Sequence, residues 1–277
     1  MTRALVLGGG GVTGIAWEIG VLCGLHRAGV RLGEADTIIG TSAGSVVGTL
    51  LASGGDLEMA AAQQEKDVPA GRSSSSGGPG NSQVLAALAV LADPSIPPQE
   101  ARARVGAMAL AAPTRDEQTY VAMIGAGLPV QDWPDRDLRV TAVDTADGRD
   151  LVFDAASGVP LWSAVAASCA VPGIFPPVTI DGRRYMDGGI RVGAAADLAA
   201  GADHLVVIAP MAALTRARIT AEIAASGAGR SLLIEPDTAA LQEMGQNMMD
   251  PAHRAASVRA GIRQGQALAE DVRAVWL

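Results

Sequence analysis

Ser42 is the residue with the strongest chemical signature in the chain. It lies in GTSAG, residues 40 to 44, a G-x-S-x-G pattern between the short apolar run Thr37-Ile38-Ile39 and a helix-like stretch, SAGSVVGTLLASGG. In that strand-to-helix context the motif forms a sharp turn that exposes a serine hydroxyl at a helix N-terminus. The flanking Gly40 and Gly44 fit because backbone must approach closely on both sides of the turn. The bland reading is that Ser42 or Thr41 only caps the helix.

A second patch is the run Gly8 to Gly11 followed by Gly14, again between strand and helix. Consecutive glycines let several backbone N–H groups converge on one spot, as an oxyanion hole or a phosphate cradle requires. Residues 9 to 14 also satisfy G-x-G-x-x-G. A dinucleotide site, however, wants an acidic residue at the end of the second strand. Glu34 and Asp36 instead precede that strand, which ends in Gly40 and the serine turn, so the nucleotide reading is disfavoured.

A serine nucleophile needs a base. The three histidines, His26, His204 and His253, all lie outside glycine-flanked loops prepared for catalysis. Asp187, in YMDGG, ends a predicted hairpin strand and is followed by Gly188 and Gly189. A carboxylate can deprotonate serine when desolvation brings its pKa nearer neutrality and it lies within hydrogen-bond reach. The bland reading here is an ordinary Asp-Gly turn.

The elements that would carry these residues follow from periodicity. ALVL, the glycine loop and GIAWEIGVLCGLHRAG form one βα unit, with Ile15, Ile19, Leu22 and Leu25 at helical spacing, and residues 37 to 55 form another. Two such units predict a mostly parallel sheet with helices on its faces. Residues 70–82, rich in Ser and Gly, predict a flexible loop, and about 83–113 a helical insert of two alanine-rich helices. That insert could be a lid over an apolar channel or a pair packed as ordinary core. Strands are expected at 138–143 and 151–155 around Asp147-Gly148, in a second hairpin turning at Asp181-Gly182, and at 204–210 and 231–236, with helix from Thr238 onward. The whole is expected to form a single domain over 1–277.

Composition narrows the function classes. The chain has 277 residues, 49% of them hydrophobic, and a net charge of −8, which excludes a nucleic-acid footprint and a polybasic membrane patch. Mean hydropathy is +0.25, yet LWSAVAASCAVPGIF and HLVVIAPMAAL fall short of the ~20 residues needed to span a bilayer. Two cysteines and an N-terminus without an export pattern favour a cytoplasmic protein, peripheral to membranes at most. Cys and His show no ligand spacing, so no metal and no cofactor are expected.

Taken together, the glycine run, GTSAG and DGG, in this order and spanning roughly residues 3 to 190, resemble the patatin-like phospholipases, an acyl-hydrolase family. AASCAVPGIFPPV (166–178) is similar to that family's small-residue helix and Pro-x-x-Phe segment. The resemblance implies a three-layer α/β/α fold with a mostly parallel sheet and a helical cap. It also implies a Ser-Asp dyad with Ser42 as nucleophile, Asp187 as base, and the amides of Gly9, Gly10 and Gly11 as oxyanion donors. Gly14, Gly40, Gly44, Gly188 and Gly189 would support these motifs. The family usually carries Arg or Lys where this chain has Thr13, so a simple carboxylic ester is as plausible a substrate as a phospholipid. The expected partner is a lipid or small ester, with transient membrane-surface contact. Two rivals remain at this point: an α/β-hydrolase with a Ser-Asp-His triad using His204 or His253, and a non-catalytic lipid binder.

Overall fold

The structure, a computed structural model, describes residues 1–66 and 79–277. In chain order it contains β1 (Arg3–Leu7), α1 (Gly11–Arg27), β2 (Thr37–Gly40), α2 (Ala43–Ala52), α3 (Leu57–Gln64), α4 (Pro79–Ala92), α5 (Pro98–Ala111) and α6 (Glu117–Gly127). Next come β3 (Asp137–Asp144), β4 (Asp150–Phe153), α7 (Leu161–Ser168), β5 (Val178–Ile180) and β6 (Arg183–Asp187). The chain closes with β7 (His204–Ile208), α8 (Ala212–Ser226), β8 (Arg230–Ile234), α9 (Thr238–Met244), α10 (Arg254–Ala267) and α11 (Ala269–Trp276).

The strands form one mixed sheet. β8, β7, β1, β2 and β3 run parallel, while β4 and β6 pair antiparallel with β3, and β5 with β6. The parallel strands read as continuous apolar runs because both of their faces are covered. Leu5 and Leu7 enter the larger core, against Trp17, Val47 and Val258, while Ala4 and Val6 enter a second core with Ile219 of α8. This alternation makes the three layers: α1, α2, α7 and α10 on one face, α8 on the other.

One close crossing, with α10, sets the position of α1. Val258 and Ile262 of α10 present carbonyls to Gly20 and Gly24, where an added Cβ would stand 2.2 and 2.3 Å from oxygen. Gly261 and Gly265 return the same close approach to Trp17 and Val21. Small residues at i and i+4 on both helices let the backbones touch, which holds the middle and C-terminal half of α1 against α10.

The hairpin turn at Asp181-Gly182 has positive φ at both residues, +48° and +76°, the signature of a type I′ turn. Helix α1 starts at Gly11, earlier than hydrophobic periodicity alone places it, because the Thr13 amide finds an acceptor at the Met248 carbonyl, 3.1 Å away. The expected insert corresponds to α4 and α5, whose Ala87, Val105 and Ala109 pack on Val143, Met186 and Ile190. Of the expected loop, residues 70–78 lie outside the described residues, and 79–82 form the first turn of α4. Helices α3 and α6 go beyond the periodicity outline. Among the described residues no helix is long and apolar enough to cross a membrane.

Candidate active site

Strand β3 brings the serine and the aspartate together. Along β3, β4 covers Val140 to Val143 on one edge. The other edge is shared by β2, with Gly40 opposite Val140, and β6, with Asp187 opposite Ala142. The C-terminal ends of β2 and β6 therefore meet head to head, about 6–7 Å apart along β3. Thr141 occupies the gap: its Oγ1 bonds Thr41 Oγ1 at 2.7 Å, and a Cβ on Gly188 would come within 2.2 Å of it.

Ser42 sits at the junction of β2 and α2 with φ +52° and ψ −116°, a strained conformation for a residue with a side chain. The surrounding backbone enforces it. Gly44 N–H donates to the Gly8 carbonyl at 3.0 Å, and Thr41 N–H to the Leu7 carbonyl at 3.0 Å. A Cβ at Gly44 would stand 2.1 Å from the Leu7 oxygen, and one at Gly40 2.5 Å from the Gly44 oxygen. Both glycines of the motif are thus required by close packing. Ser42 makes no side-chain cap, so capping does not explain the serine.

The glycine loop runs alongside. A Cβ at Gly9 would lie 3.6 Å from that of Ser42, and Gly10 and Gly14 pack on Pro210. The amides of Gly9, Gly10 and Gly11 have no acceptor among the described residues, while the Gly14 amide closes the first turn on Gly10. Thr13, at the position where the resemblance leads one to expect a cation, is fully buried.

Asp187 is 5% exposed and Ser42 7%. Asp187 Oδ1 accepts from Gly189 N–H at 2.7 Å. Burial pushes its pKa up to about 6, against the lowering effect of the Ser42 hydroxyl and the Gly189 amide. The serine hydroxyl is thus close enough to act on the carboxylate, yet Oδ2 has no hydrogen bond of full geometry. A near but loosely aligned pair is the usual state of catalytic hydrogen bonds before substrate arrives.

No histidine joins them. His204 stands at the N-terminal end of β7, level with Arg3, four strand residues or about 13 Å below the level of Leu7 and Gly40. Its Nδ1 bonds the Val275 carbonyl, and His253 Nδ1 bonds the Glu243 carbonyl at 2.9 Å. His26 lies in the last turn of α1, at the opposite end of that helix from the glycine loop.

Sequence reasoning passes over Ser168 and Cys169, which touch the Ser42 backbone: Ser42 N–H donates to Ser168 Oγ at 2.9 Å, and the Cys169 thiol donates to the Ser42 carbonyl at 3.3 Å. Burial and the nearby Asp187 push the Cys169 pKa up to about 12, so it stays a thiol. The only signal was that both lie in the small-residue segment 166–178. A cavity of about 470 Å³ opens at the other end of α7, between Glu117, Val121, Gly125, Trp162 and Thr179, and touches neither Ser42 nor Asp187. The site is defined by converging polar groups and not by cavity size.

A mixed α/β sheet with a strained serine turn and a buried aspartate at abutting strand ends defines a hydrolase-like α/β protein. The profile of the Patatin-like phospholipase family matches residues 5–200, and the chain belongs to that family, which supports a lipid hydrolase. Among solved structures, VipD from Legionella pneumophila shares the fold at TM-score 0.50 and 15% identity, over 98% of this chain and 67% of that one. The type III effector protein ExoU aligns at TM-score 0.39 and 20% identity, over 96% of this chain and 53% of its own.

Proposed function

We propose that the protein is a serine acyl hydrolase, of lipase, esterase or phospholipase A type, that cleaves fatty-acyl esters through an acyl-enzyme on Ser42. The observation that carries this reading is a buried Asp187 carboxyl beside the Ser42 hydroxyl, with every histidine bonded or placed elsewhere. A base is most effective when its pKa lies near the working pH, and desolvation moves Asp187 in that direction. Asp187 takes the serine proton as Oγ attacks the ester carbonyl. The oxyanion forms against the free amides of Gly9, Gly10 and Gly11, at the positive end of α1. The protonated Asp187 then returns its proton to the leaving alcohol, and in the second half it activates the water that releases the fatty acid.

Against the triad alternative, His204 lies about 13 Å below the site at the N-terminal end of β7, and the His253 ring packs against Gly245. With Thr13 buried at the head of α1, that position brings no cation to a phosphate, so neutral esters stand beside phospholipids as substrates. Work at a lipid–water boundary would need only transient surface contact.

The test is labelling by a fluorophosphonate probe and turnover of short- and long-chain nitrophenyl esters, alongside phosphatidylcholine vesicles, by wild type, Ser42→Ala and Asp187→Asn. Labelling and turnover in the wild type, lost in both variants, support the dyad. A folded wild type that binds fatty acid but neither labels nor turns over would move the lipid-binder reading to the front.

A further inference from the structure

Three consecutive residues at the end of α7 grip the backbone of both Ser42 and Asp187. Ser168 Oγ accepts from the Ser42 amide at 2.9 Å. The Cys169 thiol donates to the Ser42 carbonyl at 3.3 Å. The Ala170 carbonyl accepts from the Asp187 amide at 3.0 Å. Ser168 is fully buried, and its hydroxyl is the partner of an N–H that belongs to a residue with φ +52°. The Ser42 carbonyl has additional holders in the amide and hydroxyl of Ser45, at 2.9 and 2.7 Å, whereas the amide relies on Ser168.

We propose that Ser168 is a positioning residue for acyl transfer. By fixing the Ser42 amide, it sets the direction in which Oγ leaves the strained turn, and its neighbours Cys169 and Ala170 tie that direction to Asp187. The role follows from the geometry of a turn with little freedom to spare. Without an acceptor the buried N–H is unpaired, the peptide before Ser42 rotates to find one, and Oγ swings away from the carboxylate. The proposal rests on the Ser42–Asp187 reading above.

Ser168→Ala removes the acceptor, and Ser168→Thr retains it. Both are compared with wild type for nitrophenyl ester kinetics between pH 5 and about 9, fluorophosphonate labelling rate and thermal melting. For Ser168→Ala, kcat and the labelling rate per folded molecule are expected to fall by about 5- to 100-fold, with KM changed by less than about threefold. The acid limb of its pH profile should move upward, because the serine hydroxyl that lowers the Asp187 pKa is no longer held against it. Ser168→Thr should recover most of the rate. A Ser168→Ala protein whose rate per folded molecule is within about twofold of wild type, with an unmoved acid limb, overturns the proposal. So does a Ser168→Thr protein that melts like wild type yet is as slow as the alanine variant. Turnover that survives in Ser42→Ala or Asp187→Asn would instead overturn the dyad itself, which keeps the two failures apart.

Discussion

Replacing Asp187 by asparagine should abolish turnover and at the same time stabilise the fold. The carboxyl is buried, and its pKa rises from 3.8 to about 6 because the charged form is desolvated. The sign follows from linkage. The native state holds the proton more tightly than the unfolded chain does, so stability is unpenalised below pH 3.8 and is progressively lost as pH rises through about 6, the penalty becoming constant about a unit above that. A shift of this size corresponds to about 3 kcal/mol at full development. Asparagine keeps an oxygen for the Gly189 amide and carries no charge, so the penalty vanishes. Urea unfolding followed by the fluorescence of the four tryptophans, at fixed ionic strength, reads the difference. The advantage of Asp187→Asn should grow by about 1 kcal/mol between pH 5 and pH 7 and then level off. At pH 8 the variant should be more stable by about 1–3 kcal/mol, a rise of several degrees in Tm for a chain of this length. A variant less stable than wild type at pH 8, or an advantage that does not change across pH 5 to 7, refutes the claim that Asp187 is held desolvated in the native state.

Other consequences are more direct. Wild-type kcat/KM should rise through an acid limb near pH 6 as Asp187 ionises, and a pH–rate profile flat down to pH 5 would contradict the assignment. Glu18 is fully buried with no hydrogen bond of full geometry at either carboxylate oxygen, and burial raises its pKa well above the usual range against the lowering effect of the Gly8 backbone. Its penalty is absent in acid and grows with pH, so the Tm gain of Glu18→Gln over wild type should widen from pH 5 to pH 8; a gain that narrows would count against the burial of that carboxyl. Gly188→Ala drives a Cβ into Thr141 and should lower stability by about 1–3 kcal/mol while displacing Asp187, measured as a joint fall in Tm and labelling rate. His204→Ala and His253→Ala should keep wild-type turnover per folded molecule, and selective loss in either would revive a triad.

The sequence by itself determined the local chemistry. GTSAG between an apolar run and a helix predicts the serine turn, since only glycine tolerates a 2.1 Å approach of the Leu7 carbonyl at position 44. Asp181-Gly182 predicts the hairpin that ends in Asp187, because positive φ at both turn residues is a local steric demand. Such features are written in a few adjacent residues and can be read there. What only the tertiary structure decided is long-range. The meeting of β2 and β6 on one edge of β3 depends on pairings across about a hundred residues, and nothing in YMDGG announces it. Nor does the sequence place His204 at the wrong end of its strand, which follows from the parallel register of β7 with β1. Ser168 reaches Ser42 from 126 residues away, and the raised pKa of Asp187 comes from the burial that this assembly imposes. Short-range sterics belong to the chain; the proximity and desolvation that turn a serine and an aspartate into a reacting pair arise only when the sheet closes around them.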